Sequence, residues 1–340
     1  MNTGQTILVT GAGGGIGSAL SKALAASAPR FLILLDHSEK SVQKLEADMT
    51  SMPSAAEHLC ILGDVCDKDL LAEIFAAHHP DVVYHLAAFK HVPLMEKTPL
   101  ACIRNNTLGT ITLIQAALAN RASTLLMVST DKAVNPRSVM GVSKRVAELA
   151  LNRWSNARTR MSALRLVNVY GSPGSVVPLM MEQISKGGPV TVTHPDARRY
   201  FMDLPEAVAR ILAAASLRER GTLVLSNPGT PASILDVARD LIGDRNIPIV
   251  MTGLRPGEKL DEELSSESEF LEATADPRLC RVVGGEMHPA RFDADLDALA
   301  RYVDARDVPG LIETLSRIVP EYRPSELVLG FMNRLQFEES

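Results

Sequence analysis

Cysteine is scarce in this chain of 340 residues: Cys60, Cys66, Cys102 and Cys280 are the four, and no two of them form a C-x-x-C pair. Thiols scattered in this way do not read as a disulfide framework, and they point to a reducing, cytoplasmic setting. A positive excess is also missing. Lys and Arg number 35 against 40 Asp and Glu, a net charge of −5, so the chain lacks the basic surplus that drives binding to a phosphate backbone. Nucleic acid is therefore not an expected partner. A small anion stays open, because a few placed arginines and helix N-termini suffice to hold one. No apolar run approaches the ~20 residues that span a bilayer, so no membrane span is expected. Met1 to Gln5 carry no basic segment and lead directly into a strand-like stretch, so no secretory signal is expected either. His194 and His288 stand alone at metal-ligand spacing, and no metal site is expected. The chain shows no internal repeat, and 22 Gly with 20 Pro are ordinary usage, which excludes collagen-like and low-complexity classes.

What the chain does have is the material for a core. Hydrophobic residues make up 46% and charged residues 22%. A chain of this length buries roughly three quarters of its unfolded surface without a disulfide or metal staple, and the length prior gives about two domains.

The first half alternates short apolar runs with helical patterns, the sequence form of a doubly wound parallel α/β sheet. Strands are predicted at Thr6–Thr10, Phe31–Leu35, Leu59–Leu62, Val82–Leu86, Thr124–Ser129 and Ser162–Leu166. Each is nearly all apolar, as a strand covered on both faces should be. Gly15–Ala26 and Asp67–Ala77 carry apolar residues at helical spacing between them. After Asn168, glycines and prolines from Gly171 to Pro195 mark a change of character. Val190–Thr193, a helix at Pro205–Leu217 and a strand at Thr222–Leu225 suggest a brief return to the first sheet. The expected division is therefore a dinucleotide-binding domain over 1–167 with a return at 203–226, and a smaller substrate region over 168–202 and 227–335. Ile234–Leu241, Leu296–Val303 and Leu311–Ile318 are amphipathic helix candidates, and Gln336–Ser340 reads as a frayed tail.

Directly after the first strand stands Thr10-Gly11-Ala12-Gly13-Gly14-Gly15-Ile16-Gly17, followed by a helix. Read as G-x-x-G-x-x-G on Gly11, Gly14 and Gly17, it permits a tight turn, close approach of a pyrophosphate and close helix packing. Helix N–H groups at Gly15 and Ile16 would then face the phosphates. Asp36 ends the second strand about 20 residues on, where a carboxylate accepts from an adenosine ribose and repels a 2′-phosphate, favouring NAD over NADP. Asp64 and Val65 follow the third strand, and Asp64 is placed to receive an adenine amino group. The fifth strand runs into Ser129-Thr130-Asp131-Lys132-Ala133, and the next helix carries Met140 and Lys144 four residues apart on one face. Polar residues that emerge at the carboxyl end of a parallel strand are candidates for chemistry. Lys90 and His91 follow the fourth strand into the same crevice, with a capping role open to either.

These residues resemble the extended short-chain dehydrogenase/reductases, on Gly11 to Gly17, Asp64, His85-Leu86-Ala87-Ala88, Asn106 before Gly109-Thr110, and Lys144. More narrowly, Ala88–Glu96, Ser129–Ala133, Arg199-Tyr200-Phe201-Met202 and Gly253-Leu254-Arg255-Pro256-Gly257-Glu258-Lys259-Leu260 are similar to bacterial UDP-N-acetylglucosamine 4,6-dehydratases of polysaccharide biosynthesis. The resemblance covers almost the whole chain. It implies oxidation at C4 by bound NAD⁺, loss of water across C5 and C6, and reduction at C6, giving a 4-keto-6-deoxy sugar nucleotide. It also implies that Ala87 and Asn106 belong to the cofactor site. Asn168, Ser175, Val176 and Pro178 fall where the family receives the nucleotide and its diphosphate, Arg199 and Arg255 are forked donors for that diphosphate, and Glu258 accepts from a ribose hydroxyl. A UDP-sugar is the expected partner and a homo-oligomer the expected state.

The superfamily normally has Tyr where this chain has Met140, and a thioether exchanges no proton. Longer, membrane-anchored members of the dehydratase family share this Met. Val167, Tyr170 and Pro173 also depart from the family's usual Phe-Gly-Asn-Val-Leu-Gly-Ser stretch. For Lys132 to take a proton at neutral pH its pKa must drop from ~10.4 to near 7, about 4 kcal/mol. Asp131 as the acid must hold a proton when the hydroxyl leaves. A direct pair between the two works against both roles, so the sugar is expected to lie between them. Thr130 is placed to orient the C4 hydroxyl and Lys144 to hold the nicotinamide ribose. Two alternatives stay open: an epimerase that keeps the C6 oxygen, and a silent NAD-binding scaffold.

Overall fold

A computed structural model describes residues 3–52, 56–284 and 289–334. His288 and the tail Gln336–Ser340 lie outside the described residues. Among the described residues nine strands form the central sheet: β1 (Thr6–Thr10), β2 (Phe31–Asp36), β3 (His58–Leu62), β4 (Val82–His85), β5 (Thr124–Thr130), β6 (Arg160–Leu166), β7 (Gly221–Leu225), β8 (Glu269–Ala273) and β9 (Leu279–Gly284). Their spatial order is β8-β9-β7-β6-β5-β4-β1-β2-β3. From β3 across to β7 every pairing is parallel, as the run of apolar strands and intervening helices requires. The order reverses between β1 and β4, and ligands of such sheets bind beyond the carboxyl ends of the strands at that switch point.

Side chains alternate between the two faces of the sheet. Leu8, Ile33, Val83 and Leu125 join one core with the helix Val139–Trp154, whereas Ile7, Val9, Leu32 and Leu164 join a second with the helices Gly15–Ala25 and Leu204–Ser216. A third, smaller core gathers Met180, Ile184, Val190, Val192, Ile234, Ala238 and Ile242. Among the described residues no helix is long and apolar enough to cross a membrane.

The expected strands are present with ends moved by up to two residues, and the return to the sheet at 203–226 is the helix Leu204–Ser216 followed by β7. Two expectations are corrected. Val190–Val192 is not a strand of the main sheet; it pairs in parallel with Ile249–Met251 beside the third core. The chain after 227 is also divided. Residues to about 251 serve the small core, but β8 and β9 extend the main sheet in antiparallel fashion, and Phe292, Leu299, Leu311, Leu315 and Val328 pack into the first core.

β8 is held by charge as well as by the ladder. Arg165 on β6 is 0% exposed, and its guanidinium reaches Glu148 Oε2 at 2.9 Å and Glu269 Oε2 at 2.7 Å. Arg145 adds Glu269 at 3.0 Å and Glu321 at 3.4 Å, and Ser129 Oγ donates to Glu148 Oε1 at 2.6 Å. Burial opposes the charge on Glu148, but Arg165, Arg145 and Ser129 outweigh it and hold its carboxyl below the usual range. Removing one partner of such a set leaves buried charge uncompensated, at about 3–5 kcal/mol. Arg165→Met should therefore lose about that much in urea unfolding at pH 7. It should also lose less in acid, because the wild-type contribution disappears as pH falls through the depressed carboxyl values. An Arg165→Met variant as stable as the wild type at pH 7 would contradict this assignment.

Candidate active site

At Gly11 the backbone turns with φ +70°, and a Cβ there would lie 2.5 Å from the Ala87 nitrogen. At Gly17 a Cβ would lie 2.0 Å from the Gly11 carbonyl oxygen, so the helix approaches the loop as only glycine allows. Gly14 is the N-cap of the helix Gly15–Ala25, which has no side-chain cap and no acidic residue in its first turn. Those helix N–H groups remain suited to an anion. Asp36, at the end of β2, is buried and accepts from Gly13 N at 2.9 Å and Ser38 N at 3.0 Å. A carboxylate has about four acceptor sites, so two remain for a ligand. Gly11, Asp36, Asp64, Val65 and Ala87 line one pocket, and Asp64 Oδ1 accepts from Cys66 N at 2.8 Å. Asp36 and Asp64 give this pocket two carboxylate acceptors.

Asn106 stands apart from that pocket, which Asn105 lines instead. It sits in a π-helical turn, Arg104–Leu108, and donates to Phe89 O and Ser143 Oγ, both at 3.0 Å, while accepting from Phe89 N at 2.8 Å. Its amide thus ties the segment after β4 to the helix Val139–Trp154.

The second half of the crevice lies at the end of β5. Thr130 Oγ1 donates to Asp131 Oδ1 at 2.9 Å, and Lys132 Nζ donates to the same oxygen at 2.8 Å. The expectation that the two side chains stand apart is corrected: adjacent residues on one short 3-10 turn fold onto each other in a direct pair. Burial opposes the Lys132 charge, but Asp131 and Glu262 outweigh it and hold the ammonium above the ordinary lysine value, opposite to what a base at neutral pH needs. Lys132 Nζ also reaches Asn168 Oδ1 at 3.3 Å and Glu262 Oε1 at 3.5 Å. Asp131 Oδ2 and Glu262 Oε2 are buried and take no hydrogen bond among the described residues.

Met140 and Lys144 are both buried on the helix Val139–Trp154. Desolvation lowers Lys144 to about 8. Lys90 Nζ donates to Pro173 O at 2.7 Å, and a Cβ at Gly15 would lie 2.9 Å from Pro173 Cδ, so the segment after β6 lies against the glycine loop. His91 occupies the N-cap of the helix Val92–Lys97 but makes no side-chain cap hydrogen bond, and neither does Ser175, which precedes Val176 at the start of Val176–Ser185. Arg199 donates to the carbonyls of Arg198, Lys259 and Leu260, and Arg255 pairs with Glu258 at 2.5 Å. Neither arginine presents a free fork. A cavity of about 700 Å³ takes in Glu258 and Lys259 but none of the strand-end residues. Its volume does not locate the chemistry.

Sequence reasoning missed Glu262, Lys259 and the Arg165 network. Asp261-Glu262-Glu263 reads as a solvated acidic run, although it directly follows the Gly253–Leu260 motif. His194 Nδ1 accepts from Asp196 N at 3.2 Å, and among the described residues no group of three His, Cys, Asp or Glu is arranged for a metal ion.

The sheet order, the glycine turn and the strand-end residues together define an extended short-chain dehydrogenase/reductase fold. The chain belongs to the polysaccharide biosynthesis protein family, whose model matches residues 7–283. It is 43% identical over 276 residues to the capsular polysaccharide biosynthesis protein CapD of Staphylococcus aureus, covering 79% of this chain and 46% of that one. The chain thus spans about half the length of that relative. It is 34% identical to a UDP-glucose 4-epimerase of Rickettsia massiliae (strain Mtu5), with 79% of this chain and 80% of the relative covered. Among solved structures, Pen from Bacillus thuringiensis superposes with a TM-score of 0.75 at 27% identity, over 85% of this chain and 90% of that one.

The buried Lys144 gives a pH test. The folded chain releases this proton near pH 8, earlier than the unfolded chain does. Stability carried by this residue therefore rises with pH from about 8 toward the ordinary lysine range. Lys144→Met should be at least as stable as the wild type in urea at pH 7, with the difference shrinking toward pH 10. A difference that is constant with pH would show that burial of this charge carries no cost.

Proposed function

We propose that the chain is an NAD-dependent nucleotide-sugar 4,6-dehydratase that converts a UDP-N-acetylhexosamine, UDP-N-acetylglucosamine first, to a 4-keto-6-deoxy sugar nucleotide. The observation that carries this reading is the pair of buried carboxyl oxygens, Asp131 Oδ2 and Glu262 Oε2, that take no hydrogen bond among the described residues beside Lys132 at the end of β5. Buried acceptors in this state call for donors, and sugar hydroxyls are donors. The name of the Staphylococcus relative, capsular polysaccharide biosynthesis, supports a sugar product. The Rickettsia relative, a UDP-glucose 4-epimerase, supports a UDP-sugar and names the rival outcome. Epimerisation at C4 needs proton exchange at that oxygen alone. An acid and a base side by side exceed that need and suit removal of the C5 proton and the C6 hydroxyl.

When bound, NAD⁺ supplies the reversible oxidation at C4 that makes the C5 proton acidic. Gly11, Gly14, Gly15, Ile16 and Gly17 receive its pyrophosphate, Asp36 its adenosine ribose, and Asp64 with Val65 and Ala87 its adenine side. Lys144 holds the nicotinamide ribose, and Asn106 acts through the segment it ties. Thr130 orients the C4 hydroxyl, Lys132 takes the C5 proton and Asp131 protonates the departing C6 hydroxyl. Met140 offers no proton. Arg255 and Glu258 exchange their mutual pair for the diphosphate and a ribose, and Lys90, His91, Asn168, Ser175, Val176 and Arg199 complete the sugar-nucleotide side. Free thiols fit a cytoplasmic setting, and a homo-oligomer belongs to the same reading.

Incubation with UDP-N-acetylglucosamine and NAD⁺ should give a product lighter by one water in mass spectrometry. A product of unchanged mass would mean epimerisation, and no turnover of any UDP-hexose would favour a scaffold. Asp131→Asn keeps the shape but delivers no proton, so dehydration should fall by about 10²–10⁴-fold while nucleotide binding persists. Asp36→Ala should weaken NAD binding by about 1.5–3 kcal/mol and narrow the preference over NADP. Equal wild-type affinity for the two cofactors in calorimetry would remove Asp36 from that role.

A further inference from the structure

Glu262 is a carboxyl in an unusual position. Its side chain is 3% exposed, and three cations face it from three segments: Lys132 Nζ at 3.5 Å, Arg199 Nε at 3.9 Å and Lys259 Nζ at 3.9 Å. None of these approaches is a hydrogen bond, and its Oε2 is buried and takes no hydrogen bond among the described residues. The two more distant cations also donate elsewhere. Lys259 Nζ donates to Val134 O at 2.6 Å, and the Arg199 guanidinium donates to the carbonyls of Arg198, Lys259 and Leu260. The remaining charges near the group are Asp131, which is bound to Lys132, and Glu263, which accepts from Asn135. The three cations favour the carboxylate, whereas burial without hydrogen bonds to its oxygens favours the protonated acid, and burial is the larger effect here.

We infer that Glu262 decides, by its own charge, whether Asp131 and Lys132 stand as an ion pair or as a neutral acid and base. This rests on the dehydratase reading for its role in turnover. With Glu262 ionised, Lys132 lies between two carboxylates and keeps its proton. With Glu262 protonated, one proton passes from Lys132 Nζ to Asp131 across their 2.8 Å contact, the N–H electron pair stays on nitrogen, and the pair becomes amine and carboxylic acid. The amine then takes the C5 proton, and the acid gives its proton to the C6 hydroxyl, which leaves as water. The ion pair is restored, and Glu262 has kept its proton throughout. Burial raises Glu262 above the ordinary glutamate value, with Lys132 opposing and Asp131 adding to that rise, in keeping with this arrangement. Glu262 is thus a positioning residue that acts through Lys132.

The test uses the full chain with selectively labelled lysine and glutamate. In the unmodified protein the ¹³C carboxyl shift of Glu262 should titrate above the ordinary glutamate range, and a midpoint at or below that range would overturn the inference. In Glu262→Gln, which keeps the shape without the charge, the Lys132 ¹³Cε midpoint should fall by about one pH unit or more. The rate of water loss should extend to higher pH, so that the variant outruns the wild type about tenfold on the alkaline side of the optimum. A Lys132 midpoint and a pH–rate profile both unchanged by Glu262→Gln would overturn the coupling. If the Lys132 midpoint shifts but no UDP-sugar is dehydrated, the coupling stands and the proposed reaction falls. If water is lost with no shift at Lys132, the reaction stands and the role of Glu262 falls.

Discussion

A guanidinium with no solvent contact ties one edge of this sheet to its interior. Arg165 on β6 clamps Glu148 on the helix Val139–Trp154 and Glu269 at the start of β8. In the ladder Arg165 lies opposite Ser129 on β5, and Ser129 reaches the same Glu148. The next three residues of the chain are Thr130, which ends β5, and Asp131 and Lys132 on the turn that follows, so the charge network lies one residue before that turn. Helix Val139–Trp154, which carries Met140 and Lys144, is fixed by Glu148 to that same point. A buried ion cluster is costly to desolvate and gains little over apolar packing. What it provides here is registry: the helix that bears Met140 and Lys144 and the edge strand β8 are pinned to one planar group with fixed donor directions.

The crevice is completed from segments far apart in the chain. The glycine turn comes from the end of β1, Lys90 from the end of β4, Asn168 from the end of β6, and Glu262 from a loop ahead of β8. Pro173 lies against both Lys90 and Gly15, which brings the segment after β6 into contact with the segment after β4 and with the glycine loop. The small third core carries the helix Val176–Ser185 and holds this outer wall independently of the sheet.

Much of this was legible in the sequence because each signal was local. Buried parallel strands are apolar runs, the glycine turn is a spacing, and Asp36 and Asp131 are placed by counting from strand ends. The misses share a cause. Arg165 interrupts an otherwise apolar strand, yet its partners Glu148 and Glu269 lie 17 and 104 residues away. Glu262 belongs to an acidic run that resembles a solvated surface until the loop is folded over Lys132. β8 and β9 are short, mixed in polarity and antiparallel at an edge, so periodicity does not assign them to the parallel sheet. The direct Asp131 to Lys132 contact has no signal in residue spacing, because it is the 3-10 turn that brings these neighbouring side chains together.

The central claim is that the strand-end residues act on C5 and C6 as well as C4, and an isotope placed at C4 reports on it most directly. UDP-N-acetylglucosamine carrying deuterium at C4 should give a product with that deuterium in the C6 methyl group, read by NMR, because oxidation at C4 and reduction at C6 belong to one turnover. Deuterium found at C4 of the product, with the C6 oxygen retained, would contradict the account and assign the chain to epimerisation.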